Sequence, residues 1–158
     1  PQGACTSPAL ANLIARKLDF RLAGLCKSLP DSWNYTRYAD DLTFSVSSAD
    51  ADVGRLQRAV RKIVAEEGFH LNDSKTSVMR APGRRMVTGL LVGEEVRLTR
   101  RDLRRFRAFL HRCKCDGLEQ VSTEIGKDAL AVARGYLSYI QMVMPDHATQ
   151  LRETHPWL

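Results

Sequence analysis

Residues 36–45 of this chain read TRYADDLTFS, and they are the most informative stretch of the sequence. Aromatic and β-branched side chains, which favour extended structure, are frequent on either side of its centre, in residues 33–38 and 42–47. In the second of these segments apolar and polar residues alternate, as in a strand with one buried face. We therefore predict a β-hairpin that carries Asp40 and Asp41 in its tight turn.

Two adjacent carboxylates in such a turn have two explanations. They repel each other and are costly to desolvate unless cations neutralise them, and Mg²⁺ prefers carboxylate and phosphate oxygens. Alternatively, Asp occupies the turn only because it tolerates the backbone geometry there. The pair Asp40-Asp41 taken alone favours the second explanation, so the neighbouring sequence has to decide.

Helices are predicted on both sides of the hairpin. Residues 9–29 and residues 51–67 carry apolar side chains every three or four positions, which is the helical period. Ser7 is expected to cap the first helix, and Asp50 or Ser48 the second. Both helices should pack on one face of the antiparallel sheet, with the two carboxylates at its edge.

Further strands are predicted after the second helix. One strand is expected near residues 75–80, and a second hairpin should pair residues 86–92 with 95–98. The chain up to residue 98 therefore has an α+β pattern.

Only helices are predicted after residue 98. Thr99 is expected to cap a helix over about 100–114, and a long helix should span about 123–143. A short helix from Pro145 to about residue 153 completes the chain.

Positive charge is concentrated in the first of these helices. The chain has a net charge of +6, but residues 97–114 alone hold eight Lys or Arg against one Asp. A run of charge is usually a solvated helix face. Here the two signs are not mixed, which favours contact with a nucleic-acid backbone. The arginines expected to bind RNA are Arg100, Arg101, Arg104 and Arg105.

The composition is that of an ordinary globular protein, with 44% hydrophobic and 27% charged residues among 158. No apolar run approaches the ~18 residues that a membrane span requires, so no membrane partner is expected. The four cysteines lack the spacing of a zinc site and fit reduced thiols, which indicates a cytoplasmic protein.

Three segments resemble reverse transcriptases, in the order that this family has them. Residues 36–45 resemble its metal-binding hairpin. Residues 1–13, PQGACTSPALANL, are similar to its PQG segment, and residues 68–76, GFHLNDSKT, to its segment that ends in N-x-x-K-T. Within the family the sequence most resembles retron-type (bacterial) enzymes, for which TRYADDLTFS and a VTG triplet, here residues 87–89, are typical.

The resemblance implies an α+β fold in which residues 1–98 form part of the palm subdomain and residues 99–158 form a helical thumb. It also implies an RNA-directed DNA polymerase, which transfers a nucleotide from a dNTP to a primer 3′-hydroxyl on an RNA template by a two-metal mechanism. The expected partners are a structured RNA template, an RNA/DNA duplex and dNTPs. Antiviral defence is a biological role that the family suggests.

The resemblance assigns roles to individual residues. Asp40 and Asp41 would be the catalytic ligands of two Mg²⁺ ions, which Mn²⁺ can replace, and Lys75 would act on the triphosphate or the leaving pyrophosphate. The residues expected to contact the nucleotide and the primer end are Gln2, Gly3, Tyr38 and Ala39. The triplet expected to recognise the cognate RNA is Val87, Thr88 and Gly89.

Two alternatives remain open. One is a maturase-like reverse transcriptase of a group II intron, and the other is an RNA-binding module that kept the fold without catalysis. In the family the fingers and the first catalytic Asp precede the PQG segment, so we expect these 158 residues alone not to polymerise.

Overall fold

The computed structural model of the chain describes residues 3–80 and 83–158. The elements of the first part are α1 (Ser7–Ser28), β1 (Asn34–Tyr38), β2 (Asp41–Ser45), α2 (Val53–Glu66) and a single 3₁₀ turn (Asp73–Lys75). Those of the second part are β3 (Met86–Val87), β4 (Leu90–Val92), β5 (Val96–Arg97), α3 (Arg100–Asp116), α4 (Leu118–Ile125), α5 (Ala129–Val143) and α6 (Pro145–Thr154). The mixed α+β class predicted from the sequence is confirmed.

The chain forms two compact units, the first ending at Arg80 and the second beginning at the next residue. The sequence places a change of character after residue 98, but the compact division falls earlier. The reason is that Leu90 and Leu98, in and just after the second group of strands, pack into the helical core of the second unit. The assignment of 1–98 to a palm and 99–158 to a thumb stays a prediction.

Helix α1 confirms the predicted helix over residues 9–29. Pro8 lies in its first turn, where the missing N–H of proline costs nothing. The expected cap is wrong: Ser7 is inside the helix, and Thr6 holds the N-cap position without a capping side-chain hydrogen bond. Leu18, Leu22 and Cys26, spaced by four, are buried on the face that meets the rest of the unit.

The predicted hairpin is present as the antiparallel pair β1–β2. Tyr35 lies opposite Phe44 and their rings are 5.2 Å apart, while Arg37 lies opposite Leu42. Because residues directly opposite one another share a face of the sheet, these four side chains form the face that packs on α1 and α2. Asp41 belongs to the other face.

Helix α2 buries Leu56, Val60 and Val64 in the same core. Its cap is Asp52, whose carboxylate accepts a hydrogen bond from the Arg55 amide at 2.8 Å, so the expected capping by Asp50 or Ser48 is wrong. The helix begins two residues later than the sequence suggests because the acid closest to its first turn caps it.

The strand predicted near residues 75–80 does not form, and the 3₁₀ turn precedes an irregular segment. Side chains explain the difference. The Asn72 amide oxygen accepts hydrogen bonds from the Ser74 amide (3.1 Å) and hydroxyl (2.7 Å), and the Thr76 hydroxyl donates to the Asn72 carbonyl (3.1 Å). Such local bonds compete with the ladder of a sheet.

In the second unit, β3, β4 and β5 form an antiparallel meander. The predicted hairpin between β4 and β5 is confirmed, but the expected long strand over 86–92 is two strands. It is broken because Thr88 and Gly89 both have positive φ angles, +48° and +87°, and together make a two-residue turn.

Helices α3 to α6 follow. Thr99 caps α3 as predicted: its hydroxyl accepts from the Asp102 amide (3.1 Å) and donates to the Asp102 carboxylate (2.5 Å). The helix expected over 123–143 is two helices, because Gly126 ends α4 in a left-handed conformation and Asp128 caps α5. No helix in the part of the chain that the structure describes is long and apolar enough to cross a membrane.

Candidate functional site

The β1–β2 turn presents the two predicted catalytic carboxylates to solvent. Ala39 and Asp40 are the two turn residues between the paired Tyr38 and Asp41. Ala39 has a φ of +50°, an uncommon conformation for a residue with a side chain. Both acids are exposed, and Tyr38 beside them is 71% exposed. Among the described residues no cation forms an ion pair with Asp40 or Asp41, so both carboxylates are available to an external cation.

Arg37 connects this turn to α1 by hydrogen bonds. Its guanidinium donates two hydrogen bonds to the Asp19 carboxylate on α1, from Nε at 2.8 Å and from Nη2 at 2.7 Å. Nη1 donates to the carbonyl of Ala39 at 2.8 Å, and Nη2 also donates to the Asn12 side chain at 3.1 Å. The Arg37 side chain is only 10% exposed, so the charge is removed from water and satisfied by these partners.

Asp19 is the acceptor at the centre of this group. The hydrogen bonds from Arg37 hold the pKa of Asp19 below its usual range, and the Tyr35 hydroxyl adds a further bond to it at 2.7 Å. Burial, reinforced by the bond to Asp19, raises the pKa of Tyr35. At neutral pH Asp19 is therefore an anion and Tyr35 a donor, which fixes the direction of each hydrogen bond.

Two carboxylates are a partial ligand set for divalent metal ions. No group of three or more His, Cys, Asp or Glu side chains that could hold a metal occurs within residues 3–80 and 83–158. The exposed oxygens of Asp40 and Asp41 have the chemistry that Mg²⁺ prefers. Further ligands would have to come from water, substrate phosphates or other protein groups.

Three further residues are predicted to contact the substrates: Gln2, Gly3 and Lys75. Gln2 lies outside the described residues. Gly3 has a φ of +88°, which strains any residue with a Cβ. Lys75 ends the 3₁₀ turn and is exposed, and no ion pair between described residues joins it to Asp40 or Asp41.

The triplet Val87-Thr88-Gly89 forms the turn of the β3–β4 hairpin. Val87 pairs with Leu90, and Thr88 and Gly89 are the two exposed turn residues. Asn-Gly is the common choice for a turn with two positive φ angles, because asparagine tolerates the left-handed region and a β-branched residue does not. Thr88 is therefore held in a strained position at an exposed tip.

Helix α3 has an apolar face and a cationic face. Phe106, Leu110 and Cys113 are buried, and the arginines predicted to bind RNA are exposed on the opposite side: Arg100, Arg101, Arg104 and Arg105. Within the described residues none of these four forms an ion pair with an acid. Three neighbouring arginines do have partners: Arg97 pairs with Glu95, Arg107 contacts His147, and Arg112 pairs with Asp116 and Glu124. Of these three, Arg97 and Arg112 pair with acids and Arg107 only with a histidine ring. We call the four arginines without a hydrogen-bonded or ionic side-chain partner among the described residues the arginine patch.

Sequence reasoning missed Asp19 and Asn12 as supports of the turn. The alternation of β1 contains a signal for them, because Arg37 falls on the same face as Tyr35 and so must point toward the core. A cation on a core-facing position requires an acidic partner, and Asp19 lies on the helix that packs there.

The chain is similar to known proteins over most of its length. A family model described as reverse transcriptase (RNA-dependent DNA polymerase) matches residues 1–122. The chain is 40% identical over 150 residues to the retron Mx65 reverse transcriptase of Myxococcus xanthus, a match that covers 95% of this chain and 33% of that protein. It is 37% identical over 144 residues to the retron Ec86 reverse transcriptase of Escherichia coli, covering 90% and 41% of the two.

A further relative is the retron Mx162 reverse transcriptase of Myxococcus xanthus, 41% identical over 129 residues, which are 72% of this chain and 26% of that protein. The chain therefore spans well under half the length of these curated relatives. The resemblance to retron-type enzymes, inferred from short motifs, is confirmed over most of the chain.

Proposed function

This chain belongs to the reverse transcriptase family, and we propose that it supplies the metal-binding hairpin and part of the nucleic-acid surface of an RNA-directed DNA polymerase. The observation that carries the proposal is the pair of exposed, unpaired carboxylates at a braced hairpin turn inside the region that matches the family. The reaction is attack of a primer 3′-hydroxyl on the α-phosphorus of a dNTP, directed by an RNA template, with release of pyrophosphate.

Asp40 and Asp41 would hold two Mg²⁺ ions, or Mn²⁺ in their place. Bound there, the ions would stabilise the attacking and leaving oxygens of an in-line displacement. The fold fixes where the two carboxylates lie. Asp40 is at the tip of the turn, and Asp41 is on the face of the hairpin that is turned away from the helices. A turn that is already fixed loses little entropy when the reacting groups assemble.

The other roles follow the same proposal. Lys75 would neutralise charge on the triphosphate or donate a proton to the leaving pyrophosphate. Gln2, Gly3, Tyr38 and Ala39 would line the nucleotide and the primer end, where the small Ala39 leaves room for it. The structural support is that Tyr38 pairs with Asp41 across the turn, that Ala39 directly precedes Asp40, and that Tyr38 is largely exposed.

RNA would be bound by two surfaces. The arginine patch would contact phosphates of the template–primer duplex, which is recognised by shape and backbone, so little dependence on sequence is expected there. The triplet Val87-Thr88-Gly89 would recognise the cognate structured RNA. Its exposed, strained turn supports this role, since strain concentrates at functional sites.

Primer extension on an RNA template tests the proposal. The protein to use is a longer polypeptide of the length of the relatives that contains these residues, called here the extended protein. Asp40→Asn and Asp41→Asn should each lower the extension rate by ~100-fold or more, because each removes a metal ligand. The matched control is Asp50→Asn, which neutralises an exposed acid outside the turn and should leave the rate unchanged.

Full activity of the extended protein with Asp40→Asn would refute the metal-binding role. RNA binding without any primer extension, in the presence of Mg²⁺ or Mn²⁺, would support the non-catalytic module instead. The 158-residue chain alone should bind RNA but not extend a primer, and extension by it would contradict the expected need for an upstream Asp.

A further inference from the structure

One guanidinium joins three separate pieces of the first unit. Arg37 extends from β1, takes both oxygens of Asp19 and the side chain of Asn12 on α1, and bonds the carbonyl of Ala39 in the turn. Four of its five N–H donors are used, at distances between 2.7 and 3.1 Å. We call this group the Arg37 clamp.

The bond to Ala39 acts on the carboxylate turn directly. The carbonyl of Ala39 belongs to the peptide that links it to Asp40, so holding this oxygen fixes the plane of that peptide. The direction in which the Asp40 side chain leaves the backbone depends on that plane. Ala39 sits at a φ of +50°, which an unsupported alanine would tend to leave. The clamp therefore stabilises a backbone conformation that alanine disfavours.

The clamp also connects two distant segments of the sequence. Asn12 belongs to the PQG segment at residues 1–13, and the turn belongs to residues 36–45. Because Asn12 and Ala39 bond the same guanidinium, displacement of α1 would be transmitted to the peptide before Asp40. Lysine cannot replace this arrangement, since it lacks the planar fork that bonds a carboxylate with two N–H groups and still reaches a third acceptor.

We propose that Arg37 is a positioning residue that sets the direction of the Asp40 carboxylate by holding the Ala39 carbonyl against α1. The inference rests on the proposed function insofar as that carboxylate binds metal. The clamp acts through the peptide before Asp40, since its hydrogen bonds go to Asp19, Asn12 and the Ala39 carbonyl. Its loss should therefore weaken metal use and turnover rather than nucleotide or duplex binding.

Arg21, which lies on α1, provides a matched control. It bonds the carboxylates of Glu66 and Glu67 at the end of α2, and the bond to Glu67 is 2.7 Å long. It contacts no part of the β1–β2 turn in the hydrogen bonds and ion pairs of the described residues. Arg21→Lys thus weakens an ion-pair cluster of α1 without releasing the turn, and it reports the effect of lost stability alone.

The experiment compares Arg37→Lys, Arg21→Lys and Asp40→Asn in the extended protein. Arg37→Lys should lower kcat by ~30- to 100-fold, the scale expected for misplacement of a catalytic group by about 1 Å, and should raise the Mg²⁺ concentration needed for half-maximal rate. The KM for dNTP and the affinity for the duplex should change by less than ~3-fold, since uniform binding is left intact. Arg21→Lys should keep kcat and the Mg²⁺ dependence even where it lowers the melting temperature.

A second measurement reads the turn itself. In the 158-residue chain labelled with ¹⁵N, Arg37→Lys should shift the amide signals of Ala39 and Asp40 and speed their hydrogen exchange, whereas Arg21→Lys should not. Unchanged amide signals together with an unchanged kcat would overturn the positioning role. A kcat that falls in proportion to the melting temperature in both lysine variants would overturn it as well, because stability would then explain the loss. Activity retained by Asp40→Asn would refute the proposed function, and the amide signals would still decide whether Arg37 orients the turn.

Discussion

The arginine patch makes a prediction that depends on charge alone. Arg100, Arg101, Arg104 and Arg105 lie within two turns of α3, about 8 Å along the helix axis. Since none of them is paired with an acid of the described residues, each can release one counterion from a phosphate when a duplex binds. Replacing all four by Gln removes this contribution and leaves the buried face of the helix unchanged.

The magnitude follows from counting phosphate contacts. Each neutralised phosphate contributes about −0.9 to the slope of log K against log salt concentration, so four contribute about −3.6. Between 50 and 200 mM salt, four contacts of this kind correspond to a loss of affinity of ~150-fold. The quadruple variant should lose that part of the salt response, and single Gln variants should each reduce the slope by about 1.

The assay is fluorescence anisotropy of a labelled RNA/DNA duplex, titrated with the 158-residue chain at several salt concentrations. The matched control is the double variant Arg97→Gln, Arg112→Gln, whose arginines already bond Glu95 and Glu124. It should change the slope much less for each charge removed. A quadruple variant whose slope equals that of the parent would show that the patch does not contact the duplex. A control that loses as much per charge would show that the lack of an acidic partner does not decide which arginines contact it.

Three further predictions concern pH and stability. Asp19→Asn should remove a stabilisation that exists at neutral pH: the pKa of Asp19 is lower in the folded chain than in the unfolded one, so the benefit is complete above about pH 4 and is lost as the pH falls through the folded value. Urea unfolding of the parent and of Asp19→Asn from pH 7 to pH 3 should show that the difference between their free energies of unfolding decreases. A difference that stays constant with pH would contradict this expectation. Thr88→Asn should raise the free energy of unfolding by ~1 kcal/mol, because asparagine tolerates the positive φ there, and it should weaken binding of the cognate RNA. A free energy of unfolding no higher than that of the parent would show that the turn is unstrained. Leu110→Ala should lower the free energy of unfolding by about 2–5 kcal/mol because Leu110 is fully buried. Leu10→Ala, at a residue that is 55% exposed, should lower it by less than ~0.5 kcal/mol.

The elements with a strong period were predictable from the sequence. The hairpin that carries Asp40 and Asp41, and the helices around it, follow from alternation and from apolar spacing over many residues. Thr99 was predictable as a cap because a hydroxyl residue directly precedes the helix and an acid lies three positions later.

The errors arose where a few local bonds outweigh the period. Asn72 ties its neighbours into a 3₁₀ turn at the start of the segment where a strand is expected. Gly126 and Asp128 end one helix and start another inside a run that has continuous helical spacing. Thr88 does not look like a turn residue, and the break it makes in the expected strand depends on the partner strand that holds it.

For the candidate site, the sequence identified the acids but not what holds them. Asp40 and Asp41 stand out once the neighbouring residues are seen to resemble a known family, and their catalytic role stays a prediction. Asp19 is less conspicuous: it is the single acid of α1, and only packing shows that it meets Arg37. The alternation of β1 indicates that Arg37 faces the core and needs an acidic partner, but it does not show which acid packing brings to it.

A positive φ angle is common to the two turns for which a function is proposed. Ala39 and Thr88 both hold a positive φ at an exposed hairpin turn, where glycine or asparagine would give a more stable backbone. Natural sequences generally agree with their local conformation, and the exceptions tend to be functional sites that other contacts stabilise. For Ala39 the stabilising contact is visible in the bond from Arg37. For Thr88 it is the pairing of Val87 with Leu90, and Leu90 packs on the helical core of the second unit. Contacts within each unit thus hold the turn in a conformation that Ala39 or Thr88 disfavours. This is expected where the function of the side chains at the tip, rather than the stability of the backbone, determines which residues occur there.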